Sequence, residues 1–124
     1  LPCLSKDGAD VEKSYVDLLS SGHFLIHAST TTCFGIGICE ANSWGVPVLA
    51  HDAGGVSSVV RDGQNGFLFQ KQSGPEEYAE KIIALFKDPS AYTDLCHTTW
   101  LEFRNRLNWS SAALKVSEVC QELI

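Results

Sequence analysis

The chain has no methionine and opens on Leu1. Its start, Leu1-Pro2-Cys3-Leu4, reads like the middle or the exit of a strand, so the 124 residues are expected to be a fragment or processed piece. Long apolar runs are missing: stretches such as Phe24-Leu25-Ile26 fall far short of the roughly 18 residues of a membrane span. No charged-then-apolar start resembles a signal peptide. Basic residues are scarce, with Lys+Arg 9 against Asp+Glu 15 and a formal net charge of -6. That balance argues against a duplex nucleic-acid binder, which needs cations to displace counterions. Charged residues make up 19% and hydrophobic residues 44%, which argues against disorder. No CxxC pair occurs among Cys3, Cys33, Cys39, Cys96 and Cys120, so no zinc site is expected. Reduced, mostly buried thiols in a cytoplasmic protein are the plain reading.

What is present alternates between two periodicities. Residues 10–21 read as a helix with Val11, Tyr15, Leu18 and Leu19 on one face and Gly22 as its stop. Residues 24–28 read as a short buried strand, and residues 35–44 as a helix closed by Gly45. Residues 46–52 form a second strand, with Pro47 tolerated at its entry. Residues 57–61 allow a helical turn or two, and Asp62-Gly63-Gln64-Asn65-Gly66 is a turn signal before a third strand at residues 66–69. Pro75, with Glu76 and Glu77 behind it, opens a helix with Tyr78, Ile82, Leu85 and Phe86 as its stripe. A second helix follows Asp88-Pro89-Ser90. Ser110 or Asn108 caps a last one, with Ala112, Val116, Val119, Cys120 and Leu123 expected to face inward. Strands alternating with helices predict a parallel α/β sheet with right-handed crossovers. Three strands are few for such a sheet, so residues 1–124 are expected to be the second half of a doubly wound one.

In open parallel sheets, ligands bind at the carboxyl ends of the strands. Two loops lie there, residues 29–37 and 51–56, in the glycine-rich part of the chain. The helix start near Gly35 offers unpaired N–H donors and the positive end of a dipole, an anion site. On glycine alone, the alternative that these residues only mark turns and close packing stays open. Gly35-Ile36-Gly37 lacks the third glycine of a dinucleotide fingerprint. From residue 1 to 60 the only cations are Lys6 and Lys13, so a phosphate near Gly35 would meet dipoles and amides without a local Lys or Arg. Glu40 is the only acid between Asp17 and Asp52, in a largely apolar helix. An unpaired carboxylate is costly to bury. It therefore either faces the cleft, accepting hydrogen bonds from vicinal sugar hydroxyls, or is an ordinary solvent-facing glutamate. His51, beside the glycine loop, reads first as a structural histidine. Ser29, Thr30, Thr31 and Thr32 have no His–Asp partner at nucleophile spacing.

A set of short motifs carries a resemblance. In order they are Cys33-Phe34-Gly35-Ile36, Cys39-Glu40-Ala41-Asn42 and Trp44-Gly45-Val46-Pro47-Val48. Then come Asp52-Ala53-Gly54-Gly55-Val56, Val60-Arg61-Asp62-Gly63, Asn65-Gly66-Phe67-Leu68 and the late Arg106-Leu107-Asn108-Trp109. Together they resemble the C-terminal domain of GT-B glycosyltransferases, in particular the large retaining group 1, or family 4.

The resemblance implies the second half of a Rossmann-like, GT-B C-terminal domain. It implies transfer of a sugar from a nucleotide-diphosphate sugar to an acceptor with retained configuration, without a cofactor or resident metal. It places Glu40, the second acid of a spaced pair, on the nucleotide ribose. Phe34, Gly35, Ile36 and Gly37 would contact sugar and diphosphate, with Gly54 and Gly55 in the adjoining loop. The first acid of the pair falls at Thr32, which is not an acid; a hydroxyl still exchanges hydrogen bonds but cannot stabilise positive charge as a carboxylate can. Acceptor choice and the basic residues of the family would belong to sequence outside this chain, which alone is expected to be inactive. Two alternatives stand beside this reading: a non-catalytic nucleotide-sugar-binding or scaffolding remnant, and a nucleotide-sugar epimerase of the same fold. The strand at residues 24–28 would lie at a bare edge, inviting self-association unless an N-terminal segment covers it.

Overall fold

Three short parallel strands form the frame: β1 (Leu25–His27), β2 (Val48–His51) and β3 (Gly66–Phe69), side by side in chain order. The computed structural model describes residues 9–123, with side chains from residue 12 onward. The opening Leu1-Pro2-Cys3-Leu4, Lys6 and the side chain of Val11 lie outside the described residues. Helix α1 (Ala9–Ser21) precedes β1, α2 (Ile36–Ser43) crosses from β1 to β2, and α3 (Val56–Val59) from β2 to β3. Then α4 (Pro75–Lys87), α5 (Pro89–Asn105) and α6 (Trp109–Glu122) follow without another strand. The expected strands at residues 24–28 and 46–52 are each shorter than drawn from the sequence, although Pro47 and Asp52 still bond across to Leu25 and Phe69.

Register divides the side chains between two faces. Leu25, Val48, Ala50 and Leu68 share one face and pack with Ile38, Val56, Val59 and Val60. Leu49, Phe67 and Phe69 share the other, where Phe69 stacks on Tyr78 of α4 at 4.2 Å. All four residues of β2 are buried, as a central parallel strand requires, with three apolar residues followed by His51. Pro75 opens α4, with Glu77 Oε1 accepting from the Gly74 amide at 3.2 Å. Asp88 caps α5 through the Ala91 amide, and Asn108 caps α6 through the Ser111 amide at 2.9 Å.

Four expectations are corrected. Strand β1 is not buried, since it lies at the sheet edge with Ile26 56% exposed. Leu18 of α1 is 65% exposed, so the apolar face of that helix is only partly covered. On α6, Ala112, Val116, Val119, Cys120 and Leu123 do not face inward. Helix α6 has no buried residue. The thiols are free, yet none of the four described is buried: Cys33 and Cys120 are exposed, Cys39 and Cys96 half-buried. Cys33 sits in a strand-end loop and Cys120 on the uncovered helix, where periodicity alone could not place them.

Candidate functional site

At the carboxyl ends of β1 and β2 two loops meet backbone to backbone. The Gly55 amide donates to the Cys33 carbonyl at 2.9 Å. A Cβ on Gly55 would fall 2.1 Å from that oxygen, and one on Gly54 would fall 1.9 Å from the Thr32 carbonyl oxygen. Gly54 also has φ 57°, a left-handed conformation open chiefly to glycine. The two glycines therefore lace the loops together, and the Gly55 amide is already engaged. Thr32 is half-buried, with its carbonyl oxygen against Gly54.

Helix α2 begins just beyond this seam. Gly35 takes φ 79° and ψ 59°, and no side chain caps the helix. The Ile38 amide turns back to the Gly35 carbonyl at 2.9 Å. Ile36 and Gly37 occupy the first helical positions, whose amides have no intrahelical acceptor. Glu40 is exposed and folds back toward that start: a Cβ on Gly37 would lie 3.9 Å from its Oε2. This is the direction a long helical side chain takes. Tyr15 of α1 donates its hydroxyl to Glu40 Oε2 at 2.6 Å. The carboxylate hydrogen bond, with some burial and the nearby negative charge, raises the phenol above its usual range.

Glu40, Phe34 and Ile36 border a mostly apolar cavity of about 470 Å³, lined also by Phe103, Leu107 and Trp109. Cys39 also lines it; burial pushes its thiol up, against the opposing Arg106 guanidinium. Arg106, quoted above in a motif but not expected here, is the cation that lines the cavity, arriving from far along the chain. It is committed elsewhere: Nη1 and Nη2 donate to the Ser58 and Val59 carbonyls at 2.8 and 2.7 Å, and Nε to Glu102 at 2.8 Å. It thus caps the C-terminal end of α3.

Beneath the site, Asn42 and Asn65 are fully buried. Asn65 Nδ2 donates to Asn42 Oδ1 at 2.7 Å and to the Val59 carbonyl, while its Oδ1 accepts from the Arg61 amide. Asn42 Nδ2 donates to the Val46 carbonyl at 3.0 Å. This pair joins the end of α2, the entry of β2 and the turn before β3. His51 is 6% exposed and packs edge-on against Tyr78, away from the seam, with its Nε2 3.3 Å from the Ser73 carbonyl. Among the described residues no three His, Cys, Asp or Glu side chains gather to hold a metal, and no helix is long and apolar enough to cross a membrane.

The structure thus brings Phe34, Gly35, Ile36, Gly37 and Glu40 to one surface and sets Thr32, Gly54 and Gly55 in the adjoining seam. The family model described as "Glycosyl transferases group 1" matches residues 9–99. An uncharacterized glycosyltransferase of Methanocaldococcus jannaschii is 31% identical over 100 residues, covering 81% of this chain and 28% of its own. A D-inositol 3-phosphate glycosyltransferase of Streptomyces bingchenggensis is 30% identical over 106 residues, covering 86% of this chain and 23% of its own. Among solved structures, Anabaena HepE in complex with UDP superposes with a TM-score of 0.74 at 26% identity, covering 85% of this chain and 29% of that one. Sucrose-phosphate synthase from Thermosynechococcus elongatus gives 0.75 at 25% identity, covering 93% and 28%. The chain therefore spans less than a third of the length of each.

Proposed function

The chain belongs to the group 1 glycosyl transferases, and on that premise we propose that it is the donor-binding part of a retaining glycosyltransferase. The donor is a nucleotide-diphosphate sugar. The observation that carries the reading is the carboxylate of Glu40 folded over the glycine-opened start of α2. A carboxylate accepts from two vicinal hydroxyls at once, so Glu40 holds the ribose. The Ile36 and Gly37 amides and the positive helix end face the diphosphate, where negative charge grows as the bond to the anomeric carbon breaks and the acceptor oxygen bonds to that carbon. In this reading amides and dipole do the work of a resident metal, and no cofactor takes part.

Thr32 contributes a hydroxyl beside the donor sugar, and Gly54 and Gly55 fix the loop that carries it. The acceptor, a carbohydrate or other hydroxyl compound, binds to parts of the longer protein outside this chain, so the chain alone does not turn over. Anabaena HepE has been crystallised with UDP-glucose as well as UDP, which supports a nucleotide-sugar donor here. The free thiols support a cytoplasmic, reducing setting. The test is a titration of the full-length protein with UDP-, GDP- and ADP-sugars. Glu40→Ala should weaken the best donor about tenfold or more, the effect of losing hydrogen bonds to a charged group. Unchanged affinity would remove Glu40 from the donor site.

A further inference from the structure

We propose that Tyr15 is a positioning residue for donor recognition: its phenol fixes one oxygen of Glu40 so that the other is presented to the vicinal hydroxyls of the nucleotide's ribose. This inference rests on the role proposed above for Glu40. The 2.6 Å separation lies in the short range of a hydroxyl donating to a carboxylate. The bond spans 25 residues of chain and ties α1 to α2. Glu40 is otherwise an exposed side chain with three rotatable bonds, and an unrestrained glutamate gives up rotamer freedom when a ligand orders it. Tyr15 removes that freedom before the donor arrives, which is preorganisation.

The geometry leaves the useful part of the carboxylate open. Tyr15 takes Oε2, the oxygen leaning toward Gly37, and Oε1 has no protein partner among the described residues. Gly37 has no side chain to stand between the carboxylate and the amides at the helix start. Tyr15 is 37% exposed, so the phenol lies at the rim of the site and is not locked in the core. A phenol is a hydrogen-bond donor at neutral pH, and the Glu40 carboxylate raises this one further above its usual range.

Tyr15→Phe removes the hydroxyl and keeps the ring. Donor binding and steady-state kinetics are measured on the full-length protein, using whichever of UDP-glucose, GDP-mannose or ADP-glucose binds best. Tyr15→Phe should raise the donor Kd and KM about fivefold, the scale of ordering one rotamer-rich side chain on binding, with kcat and the acceptor KM unchanged. In a Glu40→Ala background the same change should add nothing. With the 2′,3′-dideoxy form of that nucleotide sugar, wild type and Tyr15→Phe should bind alike, since there is no diol to read. If Glu40→Ala weakens binding and Tyr15→Phe does not, the positioning role is wrong and the donor site stands. A Tyr15→Phe loss that persists without Glu40, or without the diol, makes Tyr15 a mere structural anchor and overturns the inference. Tighter binding by Tyr15→Phe overturns it too, because the phenol would then be competing with the donor. No donor binding, or no effect of Glu40→Ala, brings down the underlying reading and this inference with it.

Discussion

Asn42 and Asn65 show how a residue can shape a site without touching a ligand. Each side-chain amide is fully buried with its partners in place, and removing either leaves the other short of a hydrogen bond in a dry interior. Both residues stand inside the motifs quoted from the sequence, yet nothing along the chain indicates that they face each other across 23 positions. Glu40 was legible, because a lone acid in an apolar helix must find water or a partner. Its partner was not, since Tyr15 reads as one more member of an apolar stripe. The tyrosines also set an alkaline limit. Tyr15 is raised first by its hydrogen bond to Glu40, and Tyr78 and Tyr92 first by burial, all from a starting value of 10.0. A phenol that ionises later when folded than when unfolded holds its proton only in the native state above pH 10. Stability from these groups is therefore complete below pH 10 and falls as pH rises beyond it. Denaturation midpoints should be flat near neutrality and decline above pH 10, with phenolate absorbance appearing late. A native chain whose three tyrosines titrate together near pH 10 would contradict this.

At the scale of elements, hydrophobic period and caps located nearly every helix and strand, because each signal is local. Pro75, Asp88 and Asn108 mark helix starts by chemistry within a few residues of themselves. The failures were of partnership. The apolar stripe of α6 was legible as a stripe, but a stripe does not say whether anything covers it, and Trp109 is 84% exposed. The glycines repeat the lesson. Gly54 and Gly63 both sit in turn-like contexts with positive φ, but only the first meets another chain segment. Gly54→Ala should cost roughly 2–4 kcal/mol, combining left-handed strain with a clash against the Thr32 carbonyl. Gly63→Ala has nothing within 4 Å of its new carbon and should cost only about 1 kcal/mol of strain. Urea denaturation of the two variants reads the difference. Equal losses would mean that the seam yields without cost.

For the whole molecule, the alternation of elements was enough to foresee a parallel sheet with right-handed crossovers, and the structure adds that its strands lie in chain order. Among the described residues β1 pairs only with β2, leaving its other edge free, and Ile26 on that strand is 56% exposed. Edges of this kind recruit further strands. The 124-residue chain prepared alone should therefore associate in a concentration-dependent way, and Ile26→Lys should shift it toward monomer by light scattering. A monomer at every concentration without the substitution would refute this.

The seam between the two strand-end loops also constrains movement. Because Gly54 and Gly55 rest directly on the main chain of Thr32 and Cys33, with no side chain as a cushion, the loops form one plate and not two independent fingers. Any breathing of the cleft must then come from its outer lips, such as the aromatic rim at Phe34 and Trp109, while the floor travels as a rigid piece.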